Sequence, residues 1–224
     1  MVLIGYWPLQ ENSGNTAHDY AGDNNFSNNG ATSNTGVVGS SGYVFSESSN
    51  DYLSLGSIPD LTGGFTVSAW MYWTGNDGDA DTFIDFGWGP SETNNYIRFT
   101  NIPGDWTMRL RGAEGNDSSR KFPFEISASK WHHIAVSSTS DGSVNAYLDG
   151  SLSGRDTSTF ASLSSFTGSG EVYLGRSYTT GSNRSFGGRA SEIRLYDHSL
   201  SQAEISYLYN AVNQGRLTSG KKSV

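Results

Sequence analysis

The chain has 224 residues, a formal net charge of −8 and no cysteine. The absence of cysteine excludes disulfides and thiolate metal sites, and the acidic balance disfavours nucleic acid, whose phosphates would be repelled over most of the surface. With 28 Gly, 12 Tyr, 11 Phe and 6 Trp, the composition indicates a turn-rich β protein, because disordered chains lack these aromatics and helical bundles lack such frequent glycine.

Short runs of alternating apolar residues, separated by Gly, Asp and Asn, predict antiparallel strands. The Asp141-Gly142 pair predicts a type I′ hairpin turn, and Asp149-Gly150 predicts a second turn. Residues 154–170 and 176–188 are rich in Ser, Thr and Gly, which predicts long surface loops. In chain order, the predicted strands are Ile4–Leu9, Gly42–Phe45, Asp51–Leu55, Phe65–Thr74, Thr82–Phe86, Tyr96–Thr100, Thr107–Arg111, Trp131–Ser138, Ser143–Leu148, Glu171–Gly175 and Ala190–Tyr196.

A C-terminal helix is predicted to begin at Ser201. The Ser201-x-x-Glu204 pattern is that of a capping box, and apolar residues then repeat with helical spacing from Ile205. We expect residues 1–214 to form one domain. Residues 215–224 are polar and basic, which predicts a tail rather than part of the core.

Three segments carry a resemblance to a known family. The chain resembles the laminin G-like or concanavalin A-like lectin/glucanase domains, which include pentraxins, lectins and accessory sugar-binding modules. The resemblance implies an all-β, two-sheet antiparallel jelly-roll sandwich with one short C-terminal helix. It is carried by an opening segment (Gly5–Leu9 with the loop Asp19–Gly30), a middle segment (Phe65–Trp70, Trp131–Val136 and Ala146–Gly150) and a closing segment (Phe186–Tyr196 with Leu200–Tyr207).

No catalytic residue is predicted. The Glu-x-Asp-x-x-Glu pattern that glycosidases of this superfamily carry on one strand is absent, although Asp81 and Asp85 are expected to share a strand face. His132 and His133 alternate to opposite faces of one strand, which favours packing roles over joint catalysis. A triad built on Asp197-His198 and one of the many serines stays open.

One structural calcium ion is predicted in the acidic loop near the N terminus. Calcium takes six to eight oxygen ligands, and carboxylate and amide side chains of this loop supply such oxygens. Clusters of Asn, Gly and Asp also form ordinary turns, so a loop without a metal is the alternative. Relatives often hold a calcium ion near this loop, so the resemblance implies the same site here. The closing segment differs from the family pattern, because Ala190-Ser191 precedes Glu192 where the family usually has Ile-Asp. The predicted metal ligands are Asp19, Asp23, Asn24 and Asn28.

Sugar-binding modules stack sugar rings on exposed aromatic side chains and fix hydroxyl groups with polar ones. Aromatic residues within strands, such as Trp7, Trp70 and Trp131, are predicted to lie in the core. Aromatic and basic residues in or beside the predicted loops are candidate ligand contacts. These ligand-binding candidates are Trp88, Trp106, Tyr178 and Arg184.

The favoured interpretation is a non-enzymatic structural or recognition module on the surface of a larger assembly such as a virus particle. It would decorate a capsid or attach to host glycans, and the C-terminal tail would contact other protein subunits. Met1–Leu9 lacks the features of a signal peptide and no segment is long and apolar enough to insert into a membrane, so the protein is expected to be either intracellular or exported by another route. With the assembly role, we expect a virion-surface or extracellular location. The alternatives are a stand-alone carbohydrate-binding lectin, and a glycoside hydrolase or lyase with an atypical site.

Overall fold

Alternating apolar and polar residues produce two eight-stranded sheets, numbered here sheet 1 and sheet 2, in the computed structural model. Every pairing between the described strands is antiparallel. The predicted all-β sandwich is therefore confirmed. The structure describes residues 2–37, 41–57, 61, 63–75, 81–88, 95–102, 105–111, 120–156, 170–177 and 184–214.

The sixteen described strands are numbered β1 to β16 along the chain. Sheet 1 has the order β14-β13-β12-β7-β16-β5-β4, and β1 also pairs with β16. Its strands are β1 (Leu3–Trp7), β4 (Thr32–Thr35), β5 (Ser41–Phe45), β7 (Gly64–Trp73), β12 (Trp131–Thr139), β13 (Val144–Leu148), β14 (Ser151–Asp156) and β16 (Gly188–Tyr196).

Sheet 2 packs against sheet 1 through a shared apolar core. It has the order β11-β10-β9-β8-β15-β6-β3-β2. Its strands are β2 (Thr16–Ala17), β3 (Phe26–Asn29), β6 (Tyr52–Leu55), β8 (Thr82–Trp88), β9 (Asn95–Ile102), β10 (Asp105–Arg111), β11 (Arg120–Phe124) and β15 (Glu171–Leu174).

Five strands were not predicted from the sequence: β2, β3, β4, β11 and β14. Four of them form the outer edges of the two sheets, where a strand needs little apolar alternation because one side pairs with no further strand. The prediction of a loop over residues 154–170 was wrong at its start, because β14 continues through Asp156. Residues 157–169 of that loop lie outside the described residues.

The Asp141-Gly142 hairpin is present, but its turn type differs from the prediction. Gly142 has a φ of 85°, whereas Asp141 does not have a positive φ. The Gly142 amide donates to the Thr139 carbonyl at 2.9 Å, and the Thr139 amide donates to the Ser143 carbonyl at 3.0 Å. A type I′ turn needs positive φ at both central residues, so this loop instead follows the longer hairpin pattern with a left-handed glycine at its end.

Helix α1 (Gln202–Asn213) covers the side of sheet 1 that faces away from the core. The predicted capping box is confirmed, because Ser201 Oγ accepts from the Glu204 amide and the Glu204 carboxylate accepts from the Ser201 amide. Ile205 and Leu208 then pack against β12 and β13. Within the described ranges, no helix is long and apolar enough to cross a bilayer.

His133 on β12 lies buried beneath this helix. Its ring centroid is 5.5 Å from that of Trp70 and 6.1 Å from that of Tyr209. Within the described part of the chain, neither of its ring nitrogens has a hydrogen-bond partner. Burial and the nearby Arg194 lower the pKa of His133 to about 3, against a smaller opposing effect of Asp149. His133 is therefore neutral in the folded protein at physiological pH.

We expect this histidine to make the fold sensitive to acid. The unfolded chain binds a proton at His133 near pH 6.5, whereas the folded chain does so only near pH 3, so the free energy of unfolding falls as the pH decreases between these values. His133→Phe removes the titrating group, and the loss of stability between pH 7.5 and pH 5 should then be about 2 kcal/mol smaller than in the wild type. Urea unfolding at the two pH values measures this. An identical pH dependence for both proteins would contradict it.

Candidate functional site

A continuous row of polar residues crosses sheet 2 on the side away from the core. Consecutive members are cross-strand partners: Ser54 pairs with Tyr173, Tyr173 with Asp85, Asp85 with Arg98, and Arg98 with Arg109. Four strand spacings of about 4.8 Å give the row a length of roughly 19 Å. We call this row the polar face. The name includes the neighbouring side chains that lie on the same outer side of sheet 2.

The pleat of each strand directs the polar face outward. Side chains alternate between the two faces of a strand, so the sequence neighbours of the row must point inward. These neighbours are apolar and belong to the core between the sheets. They are Leu53 and Leu55 on β6, Ile84 and Phe86 on β8, Ile97 and Phe99 on β9, Met108 and Leu110 on β10, and Val172 and Leu174 on β15.

A buried ion pair forms the centre of the polar face. Nε and Nη2 of Arg98 each lie 2.8 Å from Oδ2 of Asp85. Only 3% of the Arg98 side chain and 0% of the Asp85 side chain are exposed. Ser177 Oγ donates to the same carboxylate oxygen at 3.1 Å, and the Arg98 guanidinium lies 4.6 Å from the centre of the Tyr96 ring. The Asp85 carboxylate is therefore committed to holding Arg98 in place.

A second cluster on the polar face joins an arginine to two tyrosines. Cζ of Arg176 lies 3.9 Å from the ring centroid of Tyr52 and 4.7 Å from that of Tyr173. The two rings are 5.9 Å apart, and all three side chains are half-buried. Burial and a hydrogen bond from the Tyr173 hydroxyl to Glu171 raise the pKa of Tyr173. The phenol therefore stays neutral, and a partly exposed aromatic platform flanks a fixed cation.

Gly175 places Arg176 over this platform. The chain leaves β15 at Gly175 with a φ of 94°, a conformation that favours glycine. A Cβ at this position would lie 2.5 Å from Cδ1 of Phe45 and 2.8 Å from the Asp51 carbonyl oxygen. The Gly175 amide also donates to the Phe83 carbonyl at 2.8 Å. These constraints fix the turn that positions Arg176 next to Tyr173, which lies on the same strand end.

Positive charge collects where β9 and β10 pair. Arg109 is the cross-strand partner of Arg98, and Arg111 is the partner of Tyr96. In the part of the chain that the structure describes, Nε of Arg109 is buried and has no hydrogen-bond partner. Among the residues that the structure describes, the carboxylates on this face are Asp85, which pairs with Arg98, Glu171, which accepts from Tyr173, and Asp105, which is exposed at the start of β10. Arg98, Arg109 and Arg111 therefore lie on two neighbouring strands of this face, although the chain as a whole has a net charge of −8.

The four predicted ligand-binding residues have different outcomes. Trp106 was predicted beside a loop, but β10 starts at Asp105, so the alternation turns Trp106 into the core, where 2% of it is exposed. Its ring stacks on Phe99 at 5.0 Å, so the prediction that Trp106 meets a ligand is corrected. Arg184 is half-buried, and its role as a ligand contact stays a prediction. Trp88 ends β8 but its side chain lies outside the described residues, as does Tyr178.

Asp19, one of the predicted calcium ligands, closes its own loop. Its Oδ1 accepts from the amides of Tyr6 and Ala21, both at 2.9 Å, and its Oδ2 accepts from the Asn24 amide at 3.2 Å. Asp23, the second predicted carboxylate ligand, is exposed. Among the described residues, no group of three or more His, Cys, Asp and Glu side chains is placed to hold a metal.

The other predicted ligands are amides with hydrogen bonds of their own. The side-chain amide of Asn24 donates to the Ile4 carbonyl at 3.3 Å, and its backbone carbonyl accepts from Trp7 Nε1 at 2.7 Å. Asn28 lies on β3 rather than in the loop, and its amide nitrogen donates to the carbonyls of Gly14 and Ala31. Asp19 and the two amides thus have structural roles without a metal, and the calcium ion stays a prediction.

The carboxylate pair Asp81 and Asp85 does not share a face, contrary to the prediction. Asp81 Oδ2 accepts from Trp73 Nε1 at 2.7 Å on the core side, whereas Asp85 binds Arg98 on the polar face. A register shift between Thr82 and Ile84 separates them. The two carboxylates therefore cannot act together on one bond.

Two histidines predicted to face opposite sides of β12 do so, and each has a packing role. Nδ1 of His132 lies 2.9 Å from Asp149 Oδ2, while its Nε2 accepts from the Ser127 amide at 3.2 Å. His133 points to the helix, as described above. His198 contacts Asp197 through Nδ1 at 2.8 Å, and in the described residues its Nε2 has no hydrogen-bond partner, so no serine completes a triad there.

Sequence analysis missed Arg98, Arg109, Tyr173 and Arg176, which dominate the polar face. A signal was present: charged residues occupy the outward positions of two successive predicted strands, Tyr96–Thr100 and Thr107–Arg111. What the sequence did not reveal is the register that aligns them with Asp85 and Tyr173, because pairing between distant strands is set by the whole sheet.

Comparisons with known proteins identify the family. A laminin G-type family model, described as the concanavalin A-like lectin/glucanases superfamily, matches residues 47–206. The neuronal pentraxin receptor of Mus musculus is 32% identical over 101 residues, which cover 42% of this chain and 20% of the relative. Neuronal pentraxin-1 of Homo sapiens is 27% identical over 155 residues, covering 66% of this chain and 34% of the relative. The chain belongs to this superfamily and spans about a third or less of these relatives.

Solved structures share the fold at low sequence identity. Domain 4 of AbnA, an extracellular arabinanase from Geobacillus stearothermophilus solved with arabinotriose, has a TM-score of 0.67 at 18% identity, covering 93% of this chain and 98% of that one. The binding domain of botulinum neurotoxin DC, solved with SialylT, has a TM-score of 0.69 at 15% identity, covering 94% and 51%. At these identities the likeness establishes the architecture alone.

We predict that the Asp85–Arg98 pair is a structural requirement of the polar face. Asp85→Asn leaves the Arg98 charge buried without its counter-ion, which is expected to lower the free energy of unfolding by about 3 kcal/mol. The double variant Asp85→Leu with Arg98→Met removes both charges and should lose less. Urea unfolding measures both effects, with Asp23→Asn, an exposed carboxylate, as the control. Equal small losses for Asp85→Asn and Asp23→Asn would contradict the assignment.

Proposed function

We propose that this member of the concanavalin A-like superfamily is a non-catalytic carbohydrate-recognition domain whose binding surface is the polar face of sheet 2. The observation that carries the proposal is the polar row itself. Arginine, aspartate and tyrosine side chains extend across five strands. Asp85 holds Arg98, and Arg176 packs on Tyr52 and Tyr173. The buried Asp85–Arg98 pair orders this face, and the half-buried side chains on either side of it present preorganised groups to a ligand.

The side chains on this face match the two parts of a sugar. Apolar C–H faces of a sugar ring pack on aromatic rings, and Tyr52 and Tyr173 offer two partly exposed rings. Hydroxyl groups need directional partners, which Arg109, the Tyr173 hydroxyl and Ser54 supply. An apolar partner protein would instead favour an exposed apolar patch, whereas the outward positions of these strands are polar.

The surroundings of the Asp81 and Asp85 carboxylates favour a binding role over a catalytic one. Retaining and inverting glycosidases need two carboxyl groups that flank one bond, with one available as a base or nucleophile. Asp85 is taken up by Arg98 and Ser177, and Asp81 lies on the core side. The glycoside hydrolase alternative therefore has no support from these two residues.

The comparisons support recognition of carbohydrate. Domain 4 of the arabinanase was solved with arabinotriose and the neurotoxin binding domain with SialylT, and both share this architecture. We further propose that the domain acts at an extracellular or virion surface as an outward-facing component of a larger assembly, in which the basic tail 215–224 contacts an acidic neighbour. That tail lies outside the described residues.

Tyr173→Ala is expected to weaken saccharide binding at least tenfold, about 1.4 kcal/mol, because it removes a ring of the platform and a support of Arg176. A glycan array followed by calorimetry on the best ligand provides the measurement. Tyr207→Ala, which removes a tyrosine that is 62% exposed on α1, is the matched control and should bind normally.

Two further arms complete this experiment. Tyr173→Phe keeps the ring and should retain most of the affinity, which separates a binding defect from a folding defect. Repeating the array after chelation tests the predicted calcium ion: affinity lost on chelation and restored by Ca²⁺ supports it, and unchanged affinity argues against a role of calcium in binding. A wild-type protein that binds no saccharide would overturn the proposed function.

Deletion of residues 215–224 tests the assembly role separately. If the tail docks on a neighbouring subunit, the truncated protein should no longer join the particle, while its fold and its saccharide binding persist. Light scattering and co-purification with the particle report the outcome. A full-length protein that remains monomeric, or a truncated protein that still assembles, would contradict the assembly role without affecting the proposed recognition of carbohydrate.

A further inference from the structure

We infer that the chain has a second saccharide-binding site, on the outer side of sheet 1, which takes a short neutral oligosaccharide. This site is separate from the polar face of sheet 2, so the inference goes beyond the proposed function and does not depend on it. It rests on a row of side chains that begins beside the last turn of α1, called here the outer row. Its members, on five neighbouring strands, are Trp131, Tyr72, Arg189, Val44 and Thr32.

The pleat of sheet 1 turns the outer row away from the core. Met71 and Trp73 enter the core, so Tyr72 between them faces outward. Cross-strand partners point to the same side of a sheet, so the other members of the row face outward as well. Four members are half-buried and Thr32 is exposed. A ligand therefore has access to the row on each of its five strands.

Trp131 supplies the aromatic surface of the site. Sequence analysis placed it in the core, but it starts β12 at an outward position and is half-buried. There it packs at the margin of the cluster formed by Val37, Trp70 and Val212. Its ring centroid lies 5.7 Å from that of Tyr72, with an edge-to-face angle of 63° between the rings. The apolar C–H face of a sugar ring packs on such aromatic surfaces.

Arg189 supplies the polar contact next to these rings. Its Cζ lies 5.1 Å from the centre of the Tyr72 ring, a cation–π contact that orders the guanidinium. No carboxylate of the described residues forms an ion pair with Arg189. Its N–H groups therefore remain available as donors to the hydroxyl oxygens of a ligand.

A groove beside Arg189 favours a neutral ligand over a charged one. The groove has a volume of about 440 Å³, which lies within the range of small-molecule sites. Glu47 lines it together with Arg189, so a fixed negative charge balances the positive one. The hydroxyl groups of Ser46 and Thr74 add polar lining. This lining is polar and has no net charge, which matches a ligand that is rich in hydroxyl groups and uncharged.

The length of the row determines the size of the ligand. Trp131 and Val44 lie on strands that are three spacings apart, which corresponds to roughly 14 Å. One sugar ring cannot reach both the Trp131 ring and the groove beside Arg189. A ligand that occupies both ends of the row therefore has at least two sugar units.

The test titrates neutral oligosaccharides into the full-length protein. Cellotetraose, mannotetraose, xylotetraose and arabinotriose are the probes, and calorimetry measures their affinity. We expect at least one of them to bind with a Kd below about 1 mM. Raising the salt from about 50 to about 300 mM should leave this affinity unchanged, because the ligand is uncharged. Tyr173→Ala should bind the same probe normally, because Tyr173 lies on the other sheet.

Variants of the outer row locate the site. Trp131→Ala should weaken binding of this probe at least tenfold, and Trp131→Phe, which keeps a smaller ring, should lie between. Arg189→Gln should also weaken it at least tenfold and removes no core side chain, which separates a binding defect from a folding defect. Arg155→Gln is the matched control, because Arg155 is an exposed arginine on the edge strand β14, outside the row. It removes the same charge and should bind normally.

The outcomes separate this inference from the proposed function. A protein that binds none of the four probes, or equal affinities in Arg189→Gln and Arg155→Gln, would overturn the inference. The proposed function still stands if Tyr173→Ala loses the ligand found on the glycan array. Saccharide binding that is lost only in the outer-row variants would support the inference and overturn the polar face as a binding surface. A dimer in light scattering that Arg189→Gln dissociates would overturn the inference and identify the row as an interface between two copies.

Discussion

The two-residue period of the strands in sheet 2 is the constraint on which the candidate site depends. On β9, Ile97 and Phe99 enter the core, so Arg98 between them must face outward. On β10, Met108 and Leu110 enter the core, so Arg109 between them must also face outward. A slip of one residue would turn the apolar side chains outward and the charged side chains into the core between the sheets, so the core fixes the register. Packing that stabilises the fold thereby also aligns the polar row from Ser54 to Arg109.

The two sheets differ in what covers their outer sides. On sheet 1, helix α1 lies over Trp70, Ala135 and Tyr147 and buries them. The outer side of sheet 2 carries arginines, tyrosines and threonines instead. A buried ion pair such as Asp85–Arg98 rarely adds net stability over an apolar pair, so its presence on this side is better explained by the arrangement of charge that it maintains.

Much of the architecture could be predicted from the sequence, whereas the site could not. The central strands and the Ser201 capping box have strong local patterns, and the structure confirms them. Edge strands such as β4, with the sequence TSNT, lack apolar alternation and were missed. Trp106 was misplaced because a shift of a strand boundary by one or two residues decides whether an aromatic side chain faces the core or the solvent.

The polar face was missed for a different reason: its members come from strands far apart in the sequence. Tyr173 and Asp85 are cross-strand partners, although 88 residues separate them. Nuclear magnetic resonance of the labelled protein, titrated with the best oligosaccharide from the glycan array, tests the central claim most directly. The account predicts that amide shifts of Arg98, Arg109 and Tyr173 change most among the assigned strand residues. Changes on β1 and the Asp19 loop, with β9, β10 and β15 unaffected, would contradict it.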